Sequence, residues 1–305
     1  WTIGSIPNTV KAGALSDKNF DLVEITDFHG ALENSYTDSK GVYEKVAGVL
    51  GKHIKDIEAS NPNGTLVISG GDNSQGTAIS NMLKGVPVIN FFNEIGVAVS
   101  ALGNHEFDWS LDTLNNVTMK NAKFPIICAN VRNKQTGKQI YPASKTFTKQ
   151  GVKIAVIGAI TTATPSIVMP EYVENLKFTD PADEINTEAE KIKKQDPSTI
   201  IIAVIHEGDN YDNKTGPIFD ITKKLHNVSA VFGGHTHSIV QANAADADGK
   251  TVPIEIAKCS GNGYADLKMV YHKNGAVTFT NAASAYVSLS KKNDPNGFYF
   301  TDDNN

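Results

Sequence analysis

Five apolar runs in this chain each end in a polar cluster that carries a metal-competent side chain. LVEIT precedes Asp27-Phe28-His29, TLVISG precedes Gly71-Asp72, and VAVSAL precedes Gly103-Asn104-His105. TIIIAVI runs into His206, and VSAVF into Gly233-Gly234-His235-Thr236-His237. Short continuous apolar runs bounded by turn residues read as strands of a sheet buried on both faces. In open α/β sheets the ligand crevice lies beyond the carboxyl ends of the strands. The pattern predicts five strands that bring His, Asp and Asn side chains to one edge, and a polynuclear metal site there.

Each cluster is weak alone. Asp27 and His29 are two residues apart, so on a continuing strand they face the same side, and His235 and His237 do likewise on a local extended segment. Gly70-Gly71-Asp72 places a carboxylate where glycines permit a tight turn. The conjunction is stronger, because the histidines are sorted. His29, His105, His206, His235 and His237 follow apolar runs, whereas His53, His226 and His272 lie in polar-faced segments and read as surface residues.

From Phe20 to about Phe232 apolar runs alternate with amphipathic stretches, as in βα units. Helical spacing is present over 42–57, 77–83, 88–95, 111–122, 182–194 and 217–226, with Asp180 as a cap before Pro181. Beyond Val231 the pattern becomes alternating, and Lys273-Asn274-Gly275 marks a hairpin. The expected organisation is an N-terminal arm over 1–19, one α/β unit over 20–290 that ends in an antiparallel section, and a polar tail or linker over 291–305.

Composition narrows the partners. A net charge of −5 offers no general attraction for a nucleic-acid duplex or an anionic membrane. Arg132 is the single arginine among 28 basic residues, so no arginine cluster can clamp a phosphate, and metal or backbone amides must meet an anionic substrate. Cys128 and Cys259 lie far apart without CxxC spacing. Buried free thiols are the expected state, with one disulfide as the alternative. No apolar stretch approaches the length of a membrane span.

Taken in order, Asp27-Phe28-His29-Gly30, Gly71-Asp72 with Gln75-Gly76-Thr77, Gly103-Asn104-His105-Glu106-Phe107-Asp108, His206 and Gly233-Gly234-His235-Thr236-His237 resemble the calcineurin-like metallophosphatases. More narrowly the set resembles their 5′-nucleotidase branch, which includes UDP-sugar hydrolases and 2′,3′-cyclic nucleotide phosphodiesterases; Ala129-Asn130-Val131 fits as well. The resemblance implies a four-layer α/β/β/α sandwich and two divalent metals. Asp27, His29 and His237 would hold one, Asn104, His206 and His235 the other, and Asp72 would bridge them. An all nitrogen and oxygen donor set suits Zn, Mn or Fe.

The implied reaction is hydrolysis of nucleotide phosphoesters by a metal-bridging hydroxide that attacks phosphorus, with no phosphoenzyme. His105, oriented by Asp108, would stabilise the phosphoryl charge or protonate the leaving oxygen. A helix cap is the competing role for Asp108, although Ser110 is the better cap. The branch also implies a secreted, periplasmic or wall-attached location, and a second C-terminal domain that stacks the nucleobase. The 305 residues would then be the catalytic part of a longer protein. The alternatives are a 2′,3′-cyclic phosphodiesterase with 3′-nucleotidase activity and a non-catalytic metal-containing binding module.

Overall fold

The computed structural model describes residues 16–37 and 43–289. The expected arm falls largely outside these residues, and the expected tail over 291–305 lies wholly outside them. Lys18 and Asn19, read as part of the arm, already belong to the first strand.

Among the described residues thirteen strands build two large sheets: β1 (Lys18–Ile25), β2 (Thr65–Ser69), β3 (Val97–Ala101), β4 (Ile126–Ile127), β5 (Ser144–Lys149), β6 (Val152–Ile160), β7 (Ile200–His206), β8 (Ala230–Phe232), β9 (Val240–Ala245), β10 (Thr251–Ile256), β11 (Gly263–Tyr271), β12 (Val277–Phe279) and β13 (Tyr286–Ser288). The first sheet runs β12-β11-β1-β2-β3-β4, with β13 also paired to β11, and the second runs β9-β10-β8-β7-β6-β5. The four strands β1 to β4 are mutually parallel, and so are β6, β7, β8 and β10. Antiparallel pairs close the edges, including the β11–β12 hairpin over His272–Ala276 where the Asn-Gly turn was expected.

Why these runs form a sandwich is visible in their alternation. Leu22 of β1 points between the sheets, into the core it shares with Ile202 and Val204 of β7, whereas Val23 points outward into the core it shares with helices α1 (Val46–Ser60) and α2 (Val86–Glu94). Ile201, Ala203 and Ile205 face the opposite side, against α3 (Pro181–Gln195) and α4 (Pro217–Thr222). Three apolar cores therefore separate four layers, α/β/β/α. Each fully buried Val, Leu or Ile contributes roughly 1.5–3 kcal/mol, so a strand apolar on both faces is stable only with cover on both sides. Asp180 caps α3 by accepting from the Ala182 and Asp183 amides.

Three readings change. The five strand ends come from two sheets, because β1, β2 and β3 lie in the first and β7 and β8 in the second; continuous apolar runs look alike in either. The stretch over 111–122 is no single helix: it passes through a π turn at Leu114–Thr118 between short helical pieces Ser110–Thr113 and Met119–Asn121. His53 is not a plain surface residue, since it packs edge-on against Tyr264 and is hydrogen-bonded to its hydroxyl at 3.1 Å. Both cysteines are free, Cys128 buried and Cys259 only partly so.

Candidate metal centre

The loops that leave β1, β2, β3, β7 and β8 meet beyond the carboxyl ends of both sheets. Asp27, His29, Asp72, His235 and His237 all have left-handed backbone, with φ of 48°, 51°, 54°, 71° and 57°. Asp27-His29 and His235-His237 are therefore not continuing strands, as the two-residue spacing suggested; each pair is wound into a tight turn. Left-handed backbone is several-fold commoner in Asp, Asn and His than in most residues, and it marks sites where surrounding structure dictates the conformation. Two glycines allow the turns to pack. Gly71 has φ +92°, and a Cβ on Gly103 would lie 2.3 Å from Asp72 Oδ1.

The donors assemble as two adjoining groups. Asp27, His29 and His237 each place one ligand atom within 4.8 Å of the other two, and so do Asp72, His206 and His235. Asn104 joins the second group, its Oδ1 being 3.1 Å from His206 Nε2 and 2.9 Å from His235 Nδ1. Asp72 Oδ2 stands between the groups, 3.0 Å from His206 Nε2 and 3.9 Å from His29 Nε2. Each group draws donors from both sheets.

Hydrogen bonds behind the rings decide which nitrogens are free. His29 Nδ1–H donates to the Gln75 carbonyl at 2.8 Å, and His206 Nδ1–H to the Gly70 carbonyl at 2.7 Å. In the neutral rings both Nε2 atoms are then lone pairs. His29 Nε2 lies 2.9 Å from His237 Nε2, and His206 Nε2 faces both a carboxylate and an amide oxygen. Acceptors converging in this way repel unless a proton or a cation stands among them, and the nitrogen and oxygen set fits divalent cations such as Zn²⁺ or Mn²⁺. Burial opposes a charged His206, but the buried Asp72 carboxylate more than offsets it and pushes the ring up to about 10. Hydrogen bonds to Asp27 and Cys259 push His237 up to about 10 as well.

Glu106 is the residue that motif reading left without a task. Nearly buried, its Oε2 accepts from the Gly103 amide at 2.6 Å and the Asp72 amide at 2.9 Å, and its Oε1 accepts from Asn73 at 2.7 Å. One carboxylate thus ties the loop bearing Asp72 to the loop bearing Asn104. Burial, with the neighbouring Asp72 charge, pushes it up to about 7. Its signal was its place inside the Gly103–Asp108 cluster, but no spacing rule reveals an acceptor for the Asp72 and Asn73 amides, more than thirty residues away.

His105 stands beside the groups rather than in them. Its ring is 5.2 Å from that of His29, its amide donates to Asp72 Oδ1 at 2.8 Å, and its Nδ1–H donates to Asp108 Oδ2 at 2.6 Å. That hydrogen bond is the largest influence on His105 and raises its pKa. Asp108 is committed to this ring, while Ser110 Oγ accepts from the Thr113 amide in the following turn. Arg132 is remote in function: it forms a bidentate pair with Glu184.

Residues 21–238 match the family described as calcineurin-like phosphoesterase. Among curated proteins, the chain is 28% identical over 251 residues to the endonuclease YhcR of Bacillus subtilis, covering 76% of this chain and 20% of that protein. It is 36% identical over 201 residues to a 5′-nucleotidase of Vibrio cholerae, covering 65% of this chain and 35% of that one. The chain thus spans only a fifth to about a third of the length of these relatives. In fold it is similar to the crystal structure of a 5′-nucleotidase precursor from Thermus thermophilus, with a TM-score of 0.73 at 22% identity over 86% of this chain and 54% of that chain.

Proposed function

The chain belongs to the calcineurin-like phosphoesterase family, and from that premise we propose that it hydrolyses nucleotide phosphoesters in the manner of a 5′-nucleotidase. One observation carries the reading: two donor groups adjoin with Asp72 Oδ2 standing between them, and a separate His105–Asp108 pair flanks them. Asp27, His29 and His237 would hold one divalent cation, Asn104, His206 and His235 the second, and Asp72 would reach both. Cations held there would polarise a phosphoryl oxygen and acidify bound water.

The chain's own groups do the rest. The Gln75 and Gly70 carbonyls fix the tautomers of His29 and His206, so each ring presents Nε2 inward. Asp108 holds the His105 ring and supports its charged form, leaving Nε2 to donate a proton to a leaving alcohol or to neutralise phosphoryl charge. Attack on phosphorus by water activated at the cations would need no covalent phosphoryl intermediate. Residues 20–290 form the catalytic unit in this reading, and kinship with the 5′-nucleotidases supports a location outside the cytoplasm. No helix among the described residues is long and apolar enough to cross a membrane.

The test is a panel of 5′-, 3′- and 2′,3′-cyclic nucleotides with an aryl phosphate, in Mn²⁺ and in chelator. Release of phosphate from the 5′-nucleotide, lost with chelator and regained with Mn²⁺, is the expected result. Preference for the cyclic ester would replace the substrate. Two bound cations with no hydrolysis of any ester would replace the enzyme by a binding module.

A further inference from the structure

A substrate with a second phosphate brings charge that the seven donors do not meet. With two divalent cations, Asp27 and Asp72 leave a formal surplus of two positive charges, which one phosphate dianion already fills. The loop beyond β7 offers no cation at this point either, since the residues after His206 include the buried acids Glu207 and Asp209. Arg132 cannot help, since Glu184 takes its Nε and Nη2 and the Gly137 carbonyl takes its Nη1.

Lys258 is differently placed. Its Nζ donates to the carbonyl oxygen of His237 at 3.0 Å, so the ammonium rests on the backbone of a residue whose ring belongs to the first donor group. An ammonium has three N–H donors, and this contact uses one. The segment that carries it is pinned on both sides. The Ala257 amide donates to the Glu24 carboxylate at 2.9 Å, and the Ser260 amide donates to the Asp27 carbonyl at 2.8 Å. Lys258 therefore moves with the strand end that carries Asp27. The lysine is partly buried, so part of the freedom that a long side chain loses on binding an anion is already lost. A lysine meets phosphate as a point charge and needs no planar match.

We propose that Lys258 is a specificity-determining residue that receives a second, non-scissile phosphate of the substrate. The inference rests on the reading that this cleft takes phosphoesters. Pyrophosphate and inorganic phosphate are the probes, each titrated calorimetrically into the Mn²⁺-loaded full chain, with metal content measured in parallel. The wild-type protein should bind pyrophosphate the more tightly. In Lys258→Gln that preference should fall about tenfold, the scale of one partly exposed charge-assisted hydrogen bond, and Lys258→Arg should restore most of it. A preference unchanged in Lys258→Gln, or both anions weakened in the same proportion at equal metal content, would overturn the assignment. Because binding is read apart from turnover, a chain that keeps the preference yet hydrolyses no ester would count against the proposed function and leave Lys258 in place.

Discussion

Glu106 gives the sharpest test of how the site is held. Its carboxylate takes three backbone N–H groups from two loops, and a buried donor that loses its acceptor costs about 1–3 kcal/mol. Glu106→Ala removes all three acceptors; with water admitted to the space, a net loss of about 3–4 kcal/mol is expected. Glu106→Gln is more informative. Its amide oxygen can serve the Gly103 and Asp72 amides, which now share Oε2, but its NH₂ group then meets the Asn73 N–H donor to donor. One bond is lost and one amide is orphaned, for about 1–3 kcal/mol. Release of either loop moves Asp72 away from Asn104, so affinity for the second cation should fall about 10–100-fold, the usual penalty for losing a group behind a ligand. Urea unfolding in chelator measures the first quantity, and equilibrium Mn²⁺ titration the second. A Gln variant that matches wild type in both would refute the clamp.

Four further outcomes follow from the same geometry. His105→Ala should depress turnover about 10²–10⁴-fold with metal content near normal, and lost metal would place His105 among the ligands. Chelation should lower the melting temperature as well as abolish activity, because cations at 100 times their dissociation constant stabilise by about 2.7 kcal/mol per site; an unchanged melting curve would mean the donors bind nothing. Burial raises Glu255 from 4.5 to about 9, so its stabilising contribution is full below the unfolded value and is lost as pH rises from about 4.5 through 9. Glu255→Gln should flatten that alkaline fall by a few kcal/mol, and an identical pH profile of melting would refute the buried acid. Ile202→Ala, in the core between the sheets, should weaken metal binding as well as stability by about 2–5 kcal/mol, whereas Ile185→Ala in the outer core should mainly destabilise; equal metal affinities in the two variants would contradict donor groups that straddle both sheets.

What could be read in the chain was whatever depends on local pattern. Apolar runs buried on both faces announced their strands, because a covered strand has no polar side to show. The turn residues that follow each run announced where polar side chains collect, and Pro181 with Asp180 announced a helix start. Assignment of β1 and β7 to different sheets was not legible, since that choice depends on long-range register. Nor was the left-handed winding of Asp27, His29, His235 and His237, because nothing in a D-x-H or H-x-H string separates a turn from an extended segment. The task of Glu106 was hidden for a related reason: its partners are backbone amides, which every sequence contains at every position.

Winding and register together explain how such a site is sustained. Non-glycine residues in left-handed backbone carry of order 1–3 kcal/mol of strain each, and five of the seven proposed ligands carry it. These loops would not choose that conformation alone. They are held from behind by elements with no metal chemistry of their own: the Glu106 clamp, the Gly70 and Gln75 carbonyls, and strands whose side chains fill three cores. Both donor groups, moreover, need the two sheets docked, for Asp27 and His29 must meet His237 across the layer boundary, and Asp72 and Asn104 must meet His206 and His235. That strain is offset by contacts the fold supplies, which makes the packing of the apolar layer between the sheets a determinant of metal affinity alongside the ligands themselves.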